Sequence, residues 1–465
     1  MTRVTILLTG LLLLPAEPVS ARQGSFAVEH VDRVFAEWMG DETPGCAVGV
    51  ERHGRPVLSR AYGMADLEHG IHNTPETIFE AGSVSKQFTA AAVALLALDG
   101  RLTFNDDVRR YVPELPDYGP TITIRHLLTH TSGLRDWGSV AEIGGWSRSM
   151  RTHTHDHVID ILSRQRGLNF EPGSEYSYSN SGYNLLAVIV DRVSGMPFAE
   201  FSRTRIFEPL GLEHTQWRDD YRRIVRHRSS AYMTRSGQWV IDRPIENVYG
   251  NGGLLTTVGD LLAWSAALEA GDLGGPELVR MMHERGVLND GRTIDYASGL
   301  VVGALDDMAE ISHTGATAGY RAFLARYPEQ QVSVAVLCNA ANVNPGRVGR
   351  SVSRVVFGLE EEATPLQAPA GAAPRSVIAR ETLQSLVGDY YSPDVEATFT
   401  VAIEGDDLVL RRRPAARIVL VPRGGDLFSA GQLGRVQFIR DDAGSVTQLS
   451  VQQARVYDMR FERVR

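Results

Sequence analysis

Lysine is almost absent: the chain of 465 residues carries one, Lys86, and every other residue in its count of 47 lysines and arginines is an arginine. A phosphate-binding G-x-x-x-x-G-K-[ST] loop would need a second lysine and is excluded. Long apolar runs are scarce too, and beyond the N-terminal stretch no segment is long enough to cross a bilayer. Positive charge is in deficit, with a formal net charge of −9. The one basic run, residues 411–413, precedes Pro414 in a strand-like stretch and reads as an exposed hairpin edge, so nucleic-acid binding is not expected. Neither an H-E-x-x-H zinc motif nor a G-x-S-x-G elbow occurs. Cysteine is limited to Cys46 and Cys338, in the strand-like segments "GCAVGVERHG" and "QVSVAVLCNA". In an oxidising compartment they pair if those strands are neighbours, and remain buried thiols if not.

With 43% hydrophobic and 22% charged residues, the composition is that of a soluble globular protein, too long for one ordinary core. The opening "MTRVTILLTGLLLLPAEPVSARQ" has a cationic start at Arg3, an apolar run over residues 4–14 and small residues at Val19 and Ala21, which reads as a signal peptide of residues 1–21. The mature protein is then expected in the periplasm or secreted, with no integral membrane segment left after cleavage. Residues 22–358 form the main domain. Residues 359–377, rich in Pro, Ala and Gly, read as a linker. Residues 378–465, short alternating strands separated by "EGDD", "RGGD" and "RDDAGS", predict a small antiparallel β-barrel.

Within the main domain, "CAVGVERHG" and "RPVLSRAYG" predict a hairpin turning at His53 and Gly54. The segment opened by Ser83 places Val84, Phe88, Ala91 and Leu95 on one face and ends near Gly100, which predicts a half-buried helix. The middle is loop- and helix-rich. Beyond residue 310 strands return in "YRAFLARYP" and "QVSVAVLCNA", followed by a helical run through Val356. An α/β (α+β) domain with an antiparallel sheet built from both ends of the segment, and helices inserted between, is the simplest account.

The lone lysine lies three residues after Ser83. With 31 serines in the chain, chance gives that spacing roughly one time in fifteen. Arginine stays protonated in proteins, whereas a buried lysine can lose its proton and act as a base. Acyl transfer needs a nucleophile, a base within reach and donors for an oxyanion. Ser83 and Lys86 supply the first two at a helix start, where backbone N–H groups favour developing negative charge. In "YSYSNSGYNLL", Tyr178 and Asn180 precede a helix, and a phenol beside an ammonium is encouraged to ionise. In "ISHTGATAGYRAFL", His313, Thr314 and Gly315 stand at a strand end, where Gly315 would let a substrate approach the backbone. His130 in "LLTHTSGL" reads as a residue at a helix end. The run "RTHTHDHVID" alternates His153, His155 and His157, but the following apolar spacing predicts a helix from about Thr154, and no metal site is assigned.

Together these stretches, with "GSVSKQFTA", "YSNSGYNLLA", "HTGATAGY", "LLTHTSGL", "IFEPLGLEHT" and "GGLLTTVGDLLAW", resemble the serine hydrolases of the class C β-lactamase family over about residues 30–358. That family includes penicillin-binding DD-peptidases, D-aminopeptidases and esterases. The resemblance implies Ser83 as nucleophile, Lys86 and Tyr178 as proton acceptor and donor in an order the sequence leaves open, and Asn180 positioning lysine and substrate. It implies an oxyanion hole from the backbone N–H groups of Ser83 and Ala316. It also implies a five-stranded antiparallel sheet flanked by helices, with Ser83 at the junction with an all-helical subdomain, and no cofactor. One departure stands out: the β-lactamases carry Lys-Thr-Gly where this chain has His313-Thr314-Gly315. A histidine there, shared with the esterase and D-aminopeptidase relatives, shifts the expected substrate from anionic β-lactams to an ester or small amide, a small molecule or short peptide. The alternatives are a penicillin-binding or sensing module that turns over slowly or not at all, or a weak β-lactamase.

Overall fold

The computed structural model describes residues 28–360 and 378–464. The expected signal peptide and residues 361–377 of the expected linker lie outside the described residues.

The main sheet is antiparallel and six-stranded, one strand more than the five expected, in the order Val301–Leu305, Met308–Thr317, Tyr320–Tyr327, Val332–Cys338, Cys46–Arg52, Arg55–Tyr62. The added strand, Val301–Leu305, hairpins onto Met308–Thr317 at the edge. The early hairpin turns where His53 and Gly54 both take positive φ, 53° and 72°. That is the left-handed pair a two-residue hairpin loop requires. Its first strand pairs with Val332–Cys338 from Cys46↔Cys338 to Arg52↔Val332. Cys46 and Cys338 thereby become cross-strand partners, and they form a disulfide.

Strand alternation sorts the side chains by size. Val48, Val50, Phe323, Val334 and Val336 face a cluster shared with Val31 and Val352, from the flanking helices Val28–Val34 and Pro345–Phe357, and with Phe35 just after the first of them. Ala47, Ala322, Ala335 and Leu337 belong to the cluster on the opposite face. There the helix Val258–Ala270 comes so close that a Cβ on Gly49 would lie 2.9 Å from Leu262. Both faces are therefore covered, which explains strands that are apolar nearly throughout.

The segment after Ser83 departs from expectation. Residues 86 to 96 of the helix Lys86–Leu98 are buried without a break, so this is a central helix rather than a half-buried one. Alanines at 90, 91, 92 and 94 admit neighbours on every side; of its polar residues, Thr89 donates to the Gly250 carbonyl (2.8 Å) and Gln87 accepts from Trp264 through its side-chain oxygen (3.1 Å). It ends as expected at Gly100 (φ 69°), where the Arg101 N–H reaches the Leu96 carbonyl and that of Gly100 the Ala97 carbonyl.

Residues 388–463 close an eight-stranded up-and-down barrel in chain order, filled by aromatic residues such as the stacked Phe399–Phe461 pair. The barrel sits on the helical part of the main domain. Asp394 is buried between Arg135 (2.8 Å) and Arg166 (2.7 Å). In the basic run Arg411 and Arg413 are exposed, as expected, and Arg412 is half-buried. Arg411 faces outward against Glu404, but Arg412 meets Glu142 and Arg413 donates to the Gly144 and Val395 carbonyls. Arginine heads that bind carbonyls of a neighbouring helix end act as docking groups. Among the described residues, no helix is long and apolar enough to cross a membrane.

Candidate active site

Gly82–Ser85 forms a 3₁₀ turn that runs into the helix Lys86–Leu98. In a 3₁₀ turn residues three apart eclipse one another, which stacks Lys86 against Ser83 with Nζ 3.2 Å from Oγ. Two glycines allow the turn to lie against strand Met308–Thr317. A Cβ on Gly82, itself at φ +51°, would fall 2.6 Å from the Ala316 nitrogen, and one on Gly315 would fall 2.0 Å from the Ala81 carbonyl oxygen. The space Gly315 leaves is thus occupied by the protein's own backbone rather than kept for a substrate.

Lys86 is fully buried. Besides Ser83, its Nζ bonds the Asn180 side-chain oxygen (3.1 Å) and the Asn251 carbonyl (2.6 Å), and it lies over the rings of Tyr178 and Tyr183 at 4.8 and 5.4 Å. No carboxylate bonds it among the described residues. Burial, reinforced by Arg455 and Arg148 against the opposing pull of Asp136, drives its pKa well below the ordinary lysine value.

Tyr178 faces the same cavity. Burial pushes its phenol up, and the Ser83 hydroxyl and Arg455 pull it only part of the way back. Desolvation thus outweighs the neighbouring cations, so the phenol stays protonated. His130 packs against it at 4.2 Å between ring centroids, with a φ of +58° and Nδ1 accepting from the Ser179 N–H. Asn180 opens the helix Asn180–Ser194, its N–H held by the buried carboxylate of Asp136 (2.8 Å).

His313 is buried and its pKa is pushed down to about 3, chiefly by desolvation and then by Lys86. The Thr314 carbonyl, 2.5 Å from Nδ1, can only accept, so Nδ1 carries the proton and Nε2 accepts from the Tyr296 hydroxyl (3.0 Å). The third motif therefore presents a neutral imidazole. Ser83, Tyr178, Asn180, His313, Thr314, Gly315 and Ala316 line one cavity of about 340 Å³, with Lys86 beneath Ser83. All eight sequence-selected positions converge there.

Sequence reasoning missed Asn251 on this wall, and Asp136 and Tyr296 behind it, none of which a motif marked. His130, read from "LLTHTSGL" only as a residue at a helix end, packs against Tyr178. Arg148 and Arg455 also line the cavity, and among 46 arginines neither is conspicuous. The three histidines of "RTHTHDHVID" separate as the capped helix His155–Ser163 implies. His157 closes a capping box with Thr154, His155 bonds the Tyr249 carbonyl and His153 the Trp146 carbonyl. Among the described residues, no group of three metal-ligating side chains occurs.

An antiparallel sheet backing a Ser-x-x-Lys turn, opposite a helical lobe that brings in Tyr and Asn, is the construction of the β-lactamase-fold serine hydrolases. Residues 31–356 match the family model described as Beta-lactamase, and the chain belongs to that family. It is 29% identical to Penicillin-binding protein 4* of Bacillus subtilis (strain 168) over 420 residues, which cover 85% of this chain and 89% of that protein. Among solved structures it is similar to the octameric penicillin-binding protein homologue from Pyrococcus abyssi, with a TM-score of 0.63 and 22% identity, covering 93% of this chain and 97% of that one. It is also similar to EstCE1, a hydrolase with promiscuous acyltransferase activity, with a TM-score of 0.59 and 24% identity, covering 71% and 98%. At these identities the structural likenesses speak for the fold.

Proposed function

We propose that the protein is an exported serine hydrolase that cleaves an ester or small amide through an acyl-Ser83 intermediate, in the periplasm or outside the cell. The observation that carries this reading is the set of partners around Lys86. A neutral amine has two N–H bonds and one lone pair. Two carbonyl acceptors, on Asn180 and Asn251, take the N–H bonds and leave the lone pair toward the Ser83 hydroxyl. Burial favours that neutral form. Lys86 is therefore the base: it accepts the Oγ proton as Oγ bonds the acyl carbon. The backbone N–H groups of Ser83 and Ala316 receive the oxyanion. Tyr178, kept protonated by burial, donates to the leaving alkoxide or amine, and the Lys86 ammonium restores that proton. Water then takes the acyl group by the reverse path.

The neutral His313 offers no cation at the third motif, where the β-lactamases carry a lysine, which favours esters and small amides over anionic β-lactams. Likeness to a penicillin-binding protein across 85% of the chain supports a second substrate class, amides containing a D-amino acid. Hydrolysis of a nitrophenyl butyrate ester by the mature protein and by its Ser83→Ala variant tests the proposal. Turnover that disappears with Ser83 is expected. Equal rates from both proteins would sink it.

A further inference from the structure

Arg455 belongs to the barrel, at the turn between its last strands, Val446–Gln453 and Val456–Arg463, yet it lines the cavity of Ser83. The turn is fastened to the helical lobe. The Arg455 carbonyl accepts from the Asp136 N–H (3.3 Å) and from Asn169 (3.0 Å). Tyr457 N–H donates back to Asn169 (3.0 Å), and Arg135 reaches the Asp458 carbonyl (2.7 Å). The guanidinium lies 5.0 Å over the centre of the Tyr178 ring, with its nearest carboxylate, Asp136, at 3.9 Å.

The charges facing Lys86 are few. Asp136 is the anion. Arg148 is bound through two nitrogens to the carboxylate of Glu246 and is largely neutralised by it. Tyr178, Tyr183 and Tyr296 are held protonated by burial. His130 and His313 are held neutral for the same reason. That leaves Arg455, whose contact with a carboxylate is the long 3.9 Å approach to Asp136, as the cation beside the Ser83–Lys86–Tyr178 group. We infer that Arg455 is a positioning residue of the proton-transfer centre: the barrel supplies the positive potential that biases Lys86 toward its proton-accepting form. The inference rests on the acyl-Ser83 reading above. Its direction follows from electrostatics, since a nearby cation disfavours an ammonium and favours a phenolate. The Arg455 contribution opposes Lys86 protonation and eases Tyr178 ionisation.

The test is the pH dependence of Ser83 modification by an alkyl fluorophosphonate in the full-length mature protein. In that step Oγ bonds phosphorus, the P–F bond breaks, fluoride leaves and the Oγ proton passes to Lys86. The probe has no carboxylate, so substrate recognition by the guanidinium cannot produce the effect. Arg455→Gln is expected to slow labelling roughly tenfold at pH 6.5, the gap narrowing to about twofold at pH 9.5. Arg455→Lys, which keeps the charge, is expected to stay within about threefold of wild type at both. Asp136→Asn removes the opposing anion, so it is expected to move the acid limb to lower pH, and it serves if the arginine variant does not fold. A loss of the same size at every pH, or acid limbs that do not move, would overturn the inference and leave the acyl-serine reading intact. Failure of wild-type Ser83 to react at any pH would overturn both.

Discussion

At the scale of single residues, the cost of the site is a lysine buried without a carboxylate. Its unfolded-state proton is held up to the ordinary lysine range, and its folded-state proton is lost well below it. Between those limits the unfolded chain binds more protons, so stability falls as pH falls through the window. Lys86→Met is therefore expected to abolish turnover, by at least about 100-fold, while raising the midpoint of thermal unfolding at pH 7. A lower midpoint would show the ammonium to be stabilising. His313 carries the same sign. Its value of about 3 means that between pH 6.5 and 3 only the unfolded chain takes up this proton. Stability drains by roughly 3 kcal/mol between pH 6.5 and 4. Urea unfolding at those two pH values is expected to show a smaller difference in His313→Asn than in wild type.

At the scale of elements, the contact between the 3₁₀ turn Gly82–Ser85 and the strand Met308–Thr317 holds Ser83 in place. Gly315→Ala puts a carbon 2.0 Å from the Ala81 carbonyl oxygen, and backbone cannot swing aside as a flexible side chain does. The variant is expected to lose about 1–3 kcal/mol of stability and most of its activity. Urea denaturation beside ester hydrolysis checks this, and wild-type rates would show that the turn moves freely. What the sequence revealed of the site has the same local basis. Ser83, Lys86, Tyr178, Asn180 and residues 313–316 sit in short motifs whose spacing is set by one turn or one strand end. Asp136, Asn251 and Arg455 arrive from separate elements, with nothing local to mark them. The amphipathic pattern of the segment after Ser83 suggested a half-buried helix because its alanines count weakly as apolar, although they are what lets other elements cover it. The contacts of Arg412 and Arg413 with the helical lobe were not legible, because strand alternation says nothing about what docks on an outer face. A small antiparallel barrel was legible from regular turns, though not its eight strands, and the sixth strand of the main sheet was not, because "LVVGALDD" is short and ends in acidic residues.

At the scale of the whole molecule, barrel and main domain are joined by buried charge. Arg135 and Asp394 expose only 8% and 5% of their side chains, and removing one partner of such a pair strands the other. Asp394→Ala is expected to cost about 3–5 kcal/mol and to lower ester turnover as well, because the hairpin bearing Arg455 rests on the same interface. Unchanged turnover would uncouple the barrel from the site. The Cys46–Cys338 bond joins two neighbouring sheet strands that are 292 positions apart in sequence. Its replacement by serines is expected to cost about 2–5 kcal/mol, read from urea denaturation.

That separation also sets a schedule. The strand Cys46–Arg52 cannot pair with Val332–Cys338 until residues 332–338 have been made, and the cavity is not complete until Arg455 follows. Ser83 is translated early but has no working surroundings for most of the time the chain is being synthesised. Pairings this distant close slowly, so Ser83 stays without its surroundings while the polypeptide is still extended. A hydrolase built in this way is silent until its folding is finished, without needing a propeptide to keep it so.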